Sequence, residues 1–199
     1  MRRAAVVPGA GLSRRMGQEK ILLRLGGASV LERVLATLSA AGVLERVVVL
    51  RPDLPEAAEQ ARRAGARVAL NAHPREEMLL SIRLGIAVLS PAVDAFFIWP
   101  ADHPAVAAQT LGLLARAGGP GRVALPVHAG RRGHPALVGA ELIPAIAAIP
   151  PGQGLRYLWR TRPELLVEVP VDDSGVLVDL NTPDDYERAT RGHGDAGTR

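Results

Sequence analysis

An apolar run passes directly into a loop of small residues near the start of the chain, in the stretch Ala4-Ala5-Val6-Val7-Pro8-Gly9-Ala10-Gly11-Leu12-Ser13-Arg14-Arg15-Met16-Gly17-Gln18-Glu19-Lys20. The apolar run predicts a buried β-strand, and the glycines after it predict a loop that exposes backbone N–H groups. Lys20 ends the loop and is the one lysine among the 24 lysine and arginine residues of the chain. Because lysine carries a compact charge on a flexible stem, it suits a single phosphate oxygen. The stretch therefore predicts a strand and a phosphate-binding loop with Arg15 and Lys20 as its cations.

The loop differs from the two most familiar phosphate-binding sequences. It is not a Walker loop, because no Gly-Lys-Ser/Thr sequence follows the glycines. It is not the dinucleotide fingerprint either, because Arg14 stands where the third glycine is required. A nicotinamide or flavin oxidoreductase is therefore not indicated.

Short β-branched runs alternate with helical stretches along the rest of the chain. Strands are predicted at 4–7, 46–50, 67–70, 94–99, 122–127 and 165–171. Helices are predicted at 29–41, 55–64, 76–90 and 104–117, then in short form from Ala140 and from Leu155, with a last strand and helix after a turn at 172–175. This alternation favours a single-domain Rossmann-like three-layer α/β/α sandwich with a mostly parallel sheet.

The composition excludes several classes of protein. A chain of 199 residues with 48% hydrophobic residues can form one core, and we expect a domain at 1–191 and a disordered tail at 192–199. There is no cysteine, which excludes disulfides and thiolate metal sites. The net charge of +4 comes from scattered arginines without interleaved aromatics, so we expect no nucleic-acid partner. No apolar stretch approaches a membrane span or a signal peptide, so we expect a soluble cytoplasmic protein.

A carboxylate follows the strand predicted at 94–99, in Ile98-Trp99-Pro100-Ala101-Asp102-His103-Pro104. Open α/β sheets bind ligands at the carboxyl ends of their strands. Asp102 facing a phosphate loop would suit Mg²⁺, which takes one or two carboxylates together with phosphate oxygens. The alternative is that Asp102 caps a helix beginning at Pro104. We interpret His103 as structural, because a sequence neighbour generally points elsewhere.

Two more polar segments remain. Asp179 and Asn181 lie two apart in an extended segment, so they share one side of it and could complete a metal shell with Asp102. The acidic pair at 184–185 follows a proline in a first helical turn and is interpreted as structural. Arg131-Arg132-Gly133-His134-Pro135 is a flexible basic turn with an imidazole, which could hold a second, anionic substrate or be an ordinary hairpin turn.

Taken together, these segments resemble the nucleotidyltransferases that share the molybdopterin-nucleotide transferase fold. The first loop is similar to their signature loop, and the segments that follow in the family's order are Met78-Leu79-Leu80-Ser81-Ile82-Arg83-Leu84-Gly85, Pro100-Ala101-Asp102-His103-Pro104, Arg132-Gly133-His134-Pro135 and Asp179-Leu180-Asn181-Thr182-Pro183-Asp184-Asp185-Tyr186. The Gly133-His134-Pro135 segment and the predicted helix that carries Ser81 and Gly85 most resemble the molybdenum cofactor cytidylyltransferase branch. Ala10 in place of glycine favours CTP, whereas Asn181 in place of aspartate resembles the guanylyl-transferring relatives, so the base stays open.

The resemblance implies a Mg²⁺-dependent transfer of a nucleotidyl group from CTP, or from GTP, to the terminal phosphate of a molybdopterin-type acceptor, with release of pyrophosphate. It implies catalytic roles for Arg15, Lys20 and Asp102 and metal ligation by Asp102, Asp179 and Asn181. The residues implied for nucleotide binding are Gly9, Ala10, Gly11, Ser13, Arg15, Gly17, Lys20, Ser81, Pro100 and Ala101. The residues implied for the anionic pterin-phosphate acceptor are Arg131, Arg132, Gly133 and His134. Transient contact with a molybdoenzyme is a further expectation.

Two alternatives remain at this stage. One is a related transferase that acts on a sugar or alcohol phosphate. The other is a non-catalytic module that binds the finished pterin cofactor and delivers it to a partner enzyme. The presence of Lys20 together with Asp102 favours catalysis, because a carrier needs neither residue.

Overall fold

A computed structural model describes residues 1–13, 16–73 and 78–194 of the chain. Its strands are β1 (Arg3–Pro8), β2 (Arg24–Leu25), β3 (Ala28–Ser29), β4 (Glu45–Leu50), β5 (Arg67–Leu70), β6 (Ala95–Ile98), β7 (Val123–His128), β8 (Arg131–Arg132), β9 (Ala136–Gly139) and β10 (Leu166–Pro170). Its α-helices are α1 (Val30–Ala40), α2 (Pro55–Arg63), α3 (Met78–Val88), α4 (Ala108–Ala117), α5 (Ile143–Ala147), α6 (Arg156–Thr161) and α7 (Pro183–Gly194). Single 3-10 turns are found at Lys20–Leu22, Ala140–Leu142, Pro163–Leu165 and Ser174–Leu177.

One large sheet has the strand order β10-β7-β9-β6-β1-β4-β5, with β8 paired to the end of β7. The strands β6, β1, β4 and β5 are parallel to one another, and β10 is parallel to β7. Only β9 along this path is antiparallel to both of its neighbours. The sheet is therefore mostly parallel, and the predicted Rossmann-like α/β fold is confirmed.

Strand residues alternate between two cores, one on each face of the sheet. Ala5 and Val7 of β1 pack with α1, α2 and α4, whereas Ala4 and Val6 pack with α3, α5 and α6. Successive side chains of a strand point to opposite faces, so a strand covered by helices on both sides must be apolar throughout. This explains the continuous apolar runs in the sequence and gives the three layers of the sandwich.

Helix α3 lies unusually close to the sheet because of Gly85. A Cβ atom added at Gly85 would lie 2.3 Å from Cγ1 of Val6 and 3.0 Å from Cγ2 of Val49. A side chain at this position would therefore push the helix away from β1 and β4. The glycine in the middle of α3 is explained by this contact.

Helix α1 begins as the sequence predicts. The Ser29 side chain accepts a hydrogen bond from the Glu32 amide at 3.1 Å, and the Glu32 carboxylate accepts one from the Ser29 amide at 2.7 Å. These two bonds form the predicted capping box.

The predicted start of the helix after Asp102 is wrong. Helix α4 begins at Ala108 and not at Pro104, with Ala107 at its N-cap position, and a distant carboxylate binds this start of the helix. Asp173 accepts hydrogen bonds from the Ala107 amide at 2.9 Å and from the Thr110 hydroxyl at 2.6 Å. Asp102 therefore does not cap this helix.

Two other segments differ from the prediction. The expected strand before the last helix is not formed in the described residues; the Leu180 amide instead donates to the Asp102 carbonyl at 3.0 Å. The basic turn is partly a strand, since Arg131 and Arg132 form β8.

Helix α7 continues to Gly194, so the domain boundary expected at 191 falls within it. Residues 195–199 lie outside the described residues, and the disorder expected for the tail stays a prediction.

The topology gathers polar segments at one edge of the sheet. The loops after β1, β4 and β6 leave from the carboxyl ends of parallel strands. Because β9 runs the other way, the segment that precedes it reaches this same edge. No helix in the part of the chain that the structure describes is long and apolar enough to cross a membrane.

Candidate active site

The loop after β1 leaves backbone donors available. Its first amide, that of Gly9, donates to the Val49 carbonyl at 2.8 Å and ties the loop to the sheet. The amides of Ala10, Gly11 and Leu12 donate to no other described residue. Consecutive free N–H groups after a strand form the concave donor surface that phosphate groups bind.

The second half of the loop turns back toward the site at Ser13. Its backbone has a positive φ of 46°, and its hydroxyl accepts a hydrogen bond from the Lys20 amide at 3.3 Å. Gly17 also has a positive φ, 66°, which explains the glycine there. Arg14 and Arg15 lie outside the described residues, so the predicted role of Arg15 stays a prediction.

A buried arginine that the sequence analysis did not assign to the site holds this loop. Nη1 of Arg51 donates to the Gly11 carbonyl at 2.6 Å, and Nη2 is paired with the Glu19 carboxylate. Its Nε donates to Asp53 at 2.8 Å. Because the guanidinium carries its donors in a rigid fork, one side chain can fix both ends of the loop. Arg51 directly follows β4, and that position at the carboxyl end of a strand was the available signal.

Lys20 lies among the oxygen atoms of the candidate metal ligands. Its Nζ is 2.5 Å from Oδ2 of Asp102 and 3.4 Å from Oδ1 of Asn181. The Asn181 amide donates in turn to the Asp179 carboxylate. Residues from the two ends of the sequence are thus brought together, although Asp179 and Asn181 do not lie at the end of a described strand.

This group of oxygens fits a divalent cation of the magnesium type. Two carboxylates and one amide oxygen are hard ligands, and the ammonium of Lys20 shows that a positive charge is stabilised among them. Within the described ranges, no three His, Cys, Asp or Glu residues could hold a metal together. An ion that shares its coordination shell with substrate phosphates does not require such a set.

Two histidine rings in a tilted contact lie between these oxygens and the basic segment. The rings of His103 and His134 have centroids 4.7 Å apart at 55°. Nε2 of His103 is 3.9 Å from Oδ1 of Asp102. The buried Nδ1 atoms of both rings make no hydrogen bond to any described residue. His134 is therefore supported by His103 while keeping an unused polar atom.

Burial keeps both imidazoles uncharged at neutral pH. It lowers the pKa of His134 to about 4, and positive charge on His103 and Arg156 acts in the same direction while Asp102 opposes it. Burial also lowers the pKa of His103, against the attraction of Asp102 and Asp179. At pH 7 His134 can take part in hydrogen bonding but not as a cation.

The residues predicted to border the nucleotide are closely packed. The Ala101 amide donates to the Pro8 carbonyl at 3.1 Å, which joins the loops after β1 and β6. Ser81 is buried on α3, and its hydroxyl accepts a hydrogen bond from the Asn71 side chain at 2.9 Å. Ala10 is also buried. Asn71 follows β5 and was not recognised in the sequence.

A cavity of about 1040 Å³ opens beside this cluster, bounded by α3, the segment before β9, and α6. Pro100, Arg132, Gly133 and His134 line it, whereas Arg131 does not. Gly133 is required there, because an added Cβ would lie 2.4 Å from the Val176 carbonyl oxygen. Arg132 is also paired with Glu168 at 2.7 Å.

Helix α6 contributes side chains to the cavity that the sequence analysis missed. They are Arg156, Trp159 and Arg160. Nothing in the local sequence distinguishes them from other surface residues of a short helix. Only the packing of α6 against the same face as α3 shows where they lie.

Comparisons with known proteins agree with this geometry. The family model for the MobA-like NTP transferase domain matches residues 5–166. No curated protein sequence matches the chain.

Several solved structures are similar to this chain. The chain is similar to a homologue of Mycobacterium tuberculosis Rv0371c from Mycobacterium sp. strain JC1, with 25% identity, a TM-score of 0.85 and 96% of each chain covered. It is similar to a nucleotidyl transferase from Methanothermobacter thermautotrophicus, with 26% identity, a TM-score of 0.84, and 96% of this chain and 97% of that chain covered. It shares its fold with the 4-diphosphocytidyl-2C-methyl-D-erythritol synthase of Anaerococcus prevotii, with 16% identity, a TM-score of 0.76, and coverage of 96% and 97%.

Proposed function

This chain belongs to the MobA-like NTP transferase family and is a nucleotidyltransferase, and we propose that it transfers CMP from CTP to the terminal phosphate of a molybdopterin-type acceptor. Pyrophosphate is the second product. Ala10, in the phosphate loop, supports CTP over GTP. Asn181 is the feature that favours guanylyl transfer, so the choice of base is part of the test.

The observation that carries the proposal is the contact between Lys20 and Asp102. A cation from the phosphate loop and a carboxylate from the end of β6 meet at 2.5 Å, with side chains only 18% and 14% exposed. A carrier protein has no need of such a pair, whereas phosphoryl chemistry needs both charges. The pair supports catalysis over simple cofactor binding.

In the proposed reaction an oxygen of the acceptor phosphate attacks the α-phosphorus of the nucleotide. A new P–O bond forms as the bond between the α-phosphorus and the bridging oxygen breaks, and that oxygen leaves with pyrophosphate. The acceptor phosphate is already ionised at pH 7, so no general base is required. Catalysis then consists of positioning and of stabilising negative charge.

The chain's residues divide these tasks. The free amides of Ala10, Gly11 and Leu12 bind phosphate oxygens, with Arg51 holding their loop in shape. Lys20 exchanges its contact with Asp102 for a contact with an α-phosphate oxygen, which its flexible stem allows. His134 and Arg132 face the acceptor.

Asp102, with Asp179 or Asn181, would hold Mg²⁺. When bound, the ion supplies positive charge to the phosphates as negative charge develops on them.

Ligand-induced stabilisation tests the function. We would measure the melting temperature with CTP, GTP, ATP and UTP, each with and without Mg²⁺. A ligand at 100 times its Kd stabilises the folded state by about 2.7 kcal/mol, which shifts the melting temperature clearly. We expect a shift with CTP that requires Mg²⁺, and pyrophosphate release once molybdopterin is added.

Other outcomes have definite meanings. A preference for GTP would reassign the enzyme to guanylyl transfer. If no nucleotide stabilised the protein, the transferase proposal would be wrong and the pterin carrier would replace it.

A further inference from the structure

We infer that helix α6 forms a second wall of the acceptor site, on which Arg156 and Arg160 bind an anionic group of the acceptor and Trp159 packs against its flat ring. The inference rests on the proposed function, because the cavity is taken to hold the acceptor. It adds three residues of α6 to the acceptor site, none of which the sequence analysis assigned.

The charge of the cavity is the first argument. Its lining includes the three arginines Arg132, Arg156 and Arg160, and no carboxylate is among the lining residues that the structure describes. Positive charge without nearby negative charge, in a concave site with low-dielectric walls, concentrates the electric field and attracts anions. The cavity is therefore built for an anionic ligand.

The second argument is that the two arginines of α6 are not used elsewhere. Neither Arg156 nor Arg160 forms an ion pair or donates a hydrogen bond to another described residue; Arg160 only lies over the Tyr157 ring, 5.8 Å from its centroid. Arg162 just beyond α6, by contrast, is paired with Glu164 at 2.5 Å. The guanidinium groups on the cavity wall thus keep all their donors for a ligand.

The third argument is position relative to the reacting groups. Arg156 lines the same cavity as His134. The His134 ring is in tilted contact with the ring of His103, which lies beside Asp102. Arg160 lies one turn further along α6, about 6 Å along the helix axis. An acceptor bound along α6 would therefore extend from the reaction centre toward Arg160.

The apolar walls are the fourth argument, because they suit the flat ring of the proposed acceptor. Leu79 and Ile82 of α3, Leu125 of β7 and Leu155 before α6 form much of the lining, and Trp159 is half-buried beside them. A polyhydroxylated sugar would leave its hydroxyl groups unpaired against such walls, which is unfavourable. A flat heteroaromatic ring instead packs well against leucine and tryptophan side chains.

Tryptophan fluorescence tests this assignment. The chain has two tryptophans, of which Trp99 is fully buried in the core and Trp159 borders the cavity. The probe is 6-hydroxymethylpterin monophosphate, compared with the unphosphorylated pterin and with glycerol 3-phosphate. We expect quenching by the pterin phosphate with the highest affinity, and loss of most of the quenching in Trp159→Phe.

The arginines are tested as Arg156→Gln and Arg160→Gln, with Arg162→Gln as the matched control. Each of the first two variants should weaken binding of the pterin phosphate by roughly tenfold or more, because it removes a charge-assisted hydrogen bond. Arg162→Gln should stay within about twofold of the wild type, given that its side chain is paired outside the cavity. All of these side chains are at the surface, and an unchanged melting temperature would verify folding.

The results separate this inference from the proposed function. Equal affinity of the wild type and the Arg156→Gln/Arg160→Gln double variant would overturn the inference, as would tighter binding of glycerol 3-phosphate or no binding of the pterin phosphate at all. Stabilisation by CTP with Mg²⁺ should be unchanged in these variants. If the pterin phosphate bound through the two arginines but no nucleotide stabilised the protein, the acceptor site would stand and the transferase proposal would not.

Discussion

At the scale of single residues, Lys20 is the side chain that an arginine cannot replace. Its ammonium reaches Asp102 and Asn181 from the phosphate loop. A guanidinium is larger and planar, and it cannot occupy the same place among these oxygens while remaining free to move to a phosphate.

We predict that Lys20→Ala and Asp102→Asn each lower kcat by roughly 10²–10³, the range for removing one preorganised electrostatic group. Lys20→Arg keeps the charge, and we expect it to lose most of the activity as well. Steady-state rates of pyrophosphate release at saturating Mg²⁺ and nucleotide are the measurement. Full activity of Lys20→Arg would contradict the role assigned to the flexible stem.

His134 makes stability depend on pH. Its ordinary pKa of 6.5 is lowered to about 4 by burial, so between these values the unfolded chain binds a proton that the folded chain does not. The free energy of unfolding is therefore undiminished above pH 6.5 and decreases as the pH falls toward 4. From pH 7 to pH 5 the contribution of His134 to this decrease is about 2 kcal/mol.

Urea unfolding at pH 7 and pH 5 measures this effect. In His134→Asn the decrease should be smaller than in the wild type by about that amount, although His103 keeps part of the slope because its pKa is lowered too. His73→Asn, at an exposed side chain, is the control. The assignment fails if His134→Asn and the wild type lose equal stability.

At the scale of secondary structure elements, the distance between α3 and the sheet is set by a single missing side chain. Gly85→Ala puts a methyl group where Val6 already lies, and overpacking of this kind costs about 1–3 kcal/mol of stability. Gly112→Ala in α4 is the matched control: the nearest atom to its added Cβ is Nη1 of Arg116 at 3.7 Å.

The two glycine variants should therefore change stability in opposite directions. Alanine favours the helix over glycine by about 0.5–1 kcal/mol, so Gly112→Ala should be slightly stabilising. Midpoints of urea denaturation give the comparison directly. Destabilisation by both variants to the same degree would show that the contact with Val6 is not the cause.

Elements were predictable from sequence where their signals are local. The Ser29–Glu32 capping box lies within four residues and gave the start of α1 correctly. The start of α4 was missed because the N-cap position is an alanine and the carboxylate that binds it, Asp173, lies far along the chain. A sequence pattern contains no information about such a partner until the fold brings the two together.

At the scale of the whole molecule, the strand alternation was sufficient for the mostly parallel sheet and for the position of Asp102 at its carboxyl edge. The approach of Asn181 to Lys20 does not follow from a strand end, because no strand is formed there in the described residues. The antiparallel strand β9 was not predicted. Its apolar segment is only four residues long, and apolar character would not have shown in which direction such a strand runs. The wall contributed by α6 was inaccessible for a related reason, because Arg156 and Arg160 gain their meaning only from the cavity that other elements enclose.

The reversed direction of β9 has an implication for how such enzymes diversify. In the proposed assignment, the first half of the chain forms most of the nucleotide side of the cleft, and one continuous segment from β7 through β9 to α6 forms the opposite side. Recombination that exchanged this segment between paralogues would change the acceptor preference and leave the residues proposed to bind the nucleotide unaltered.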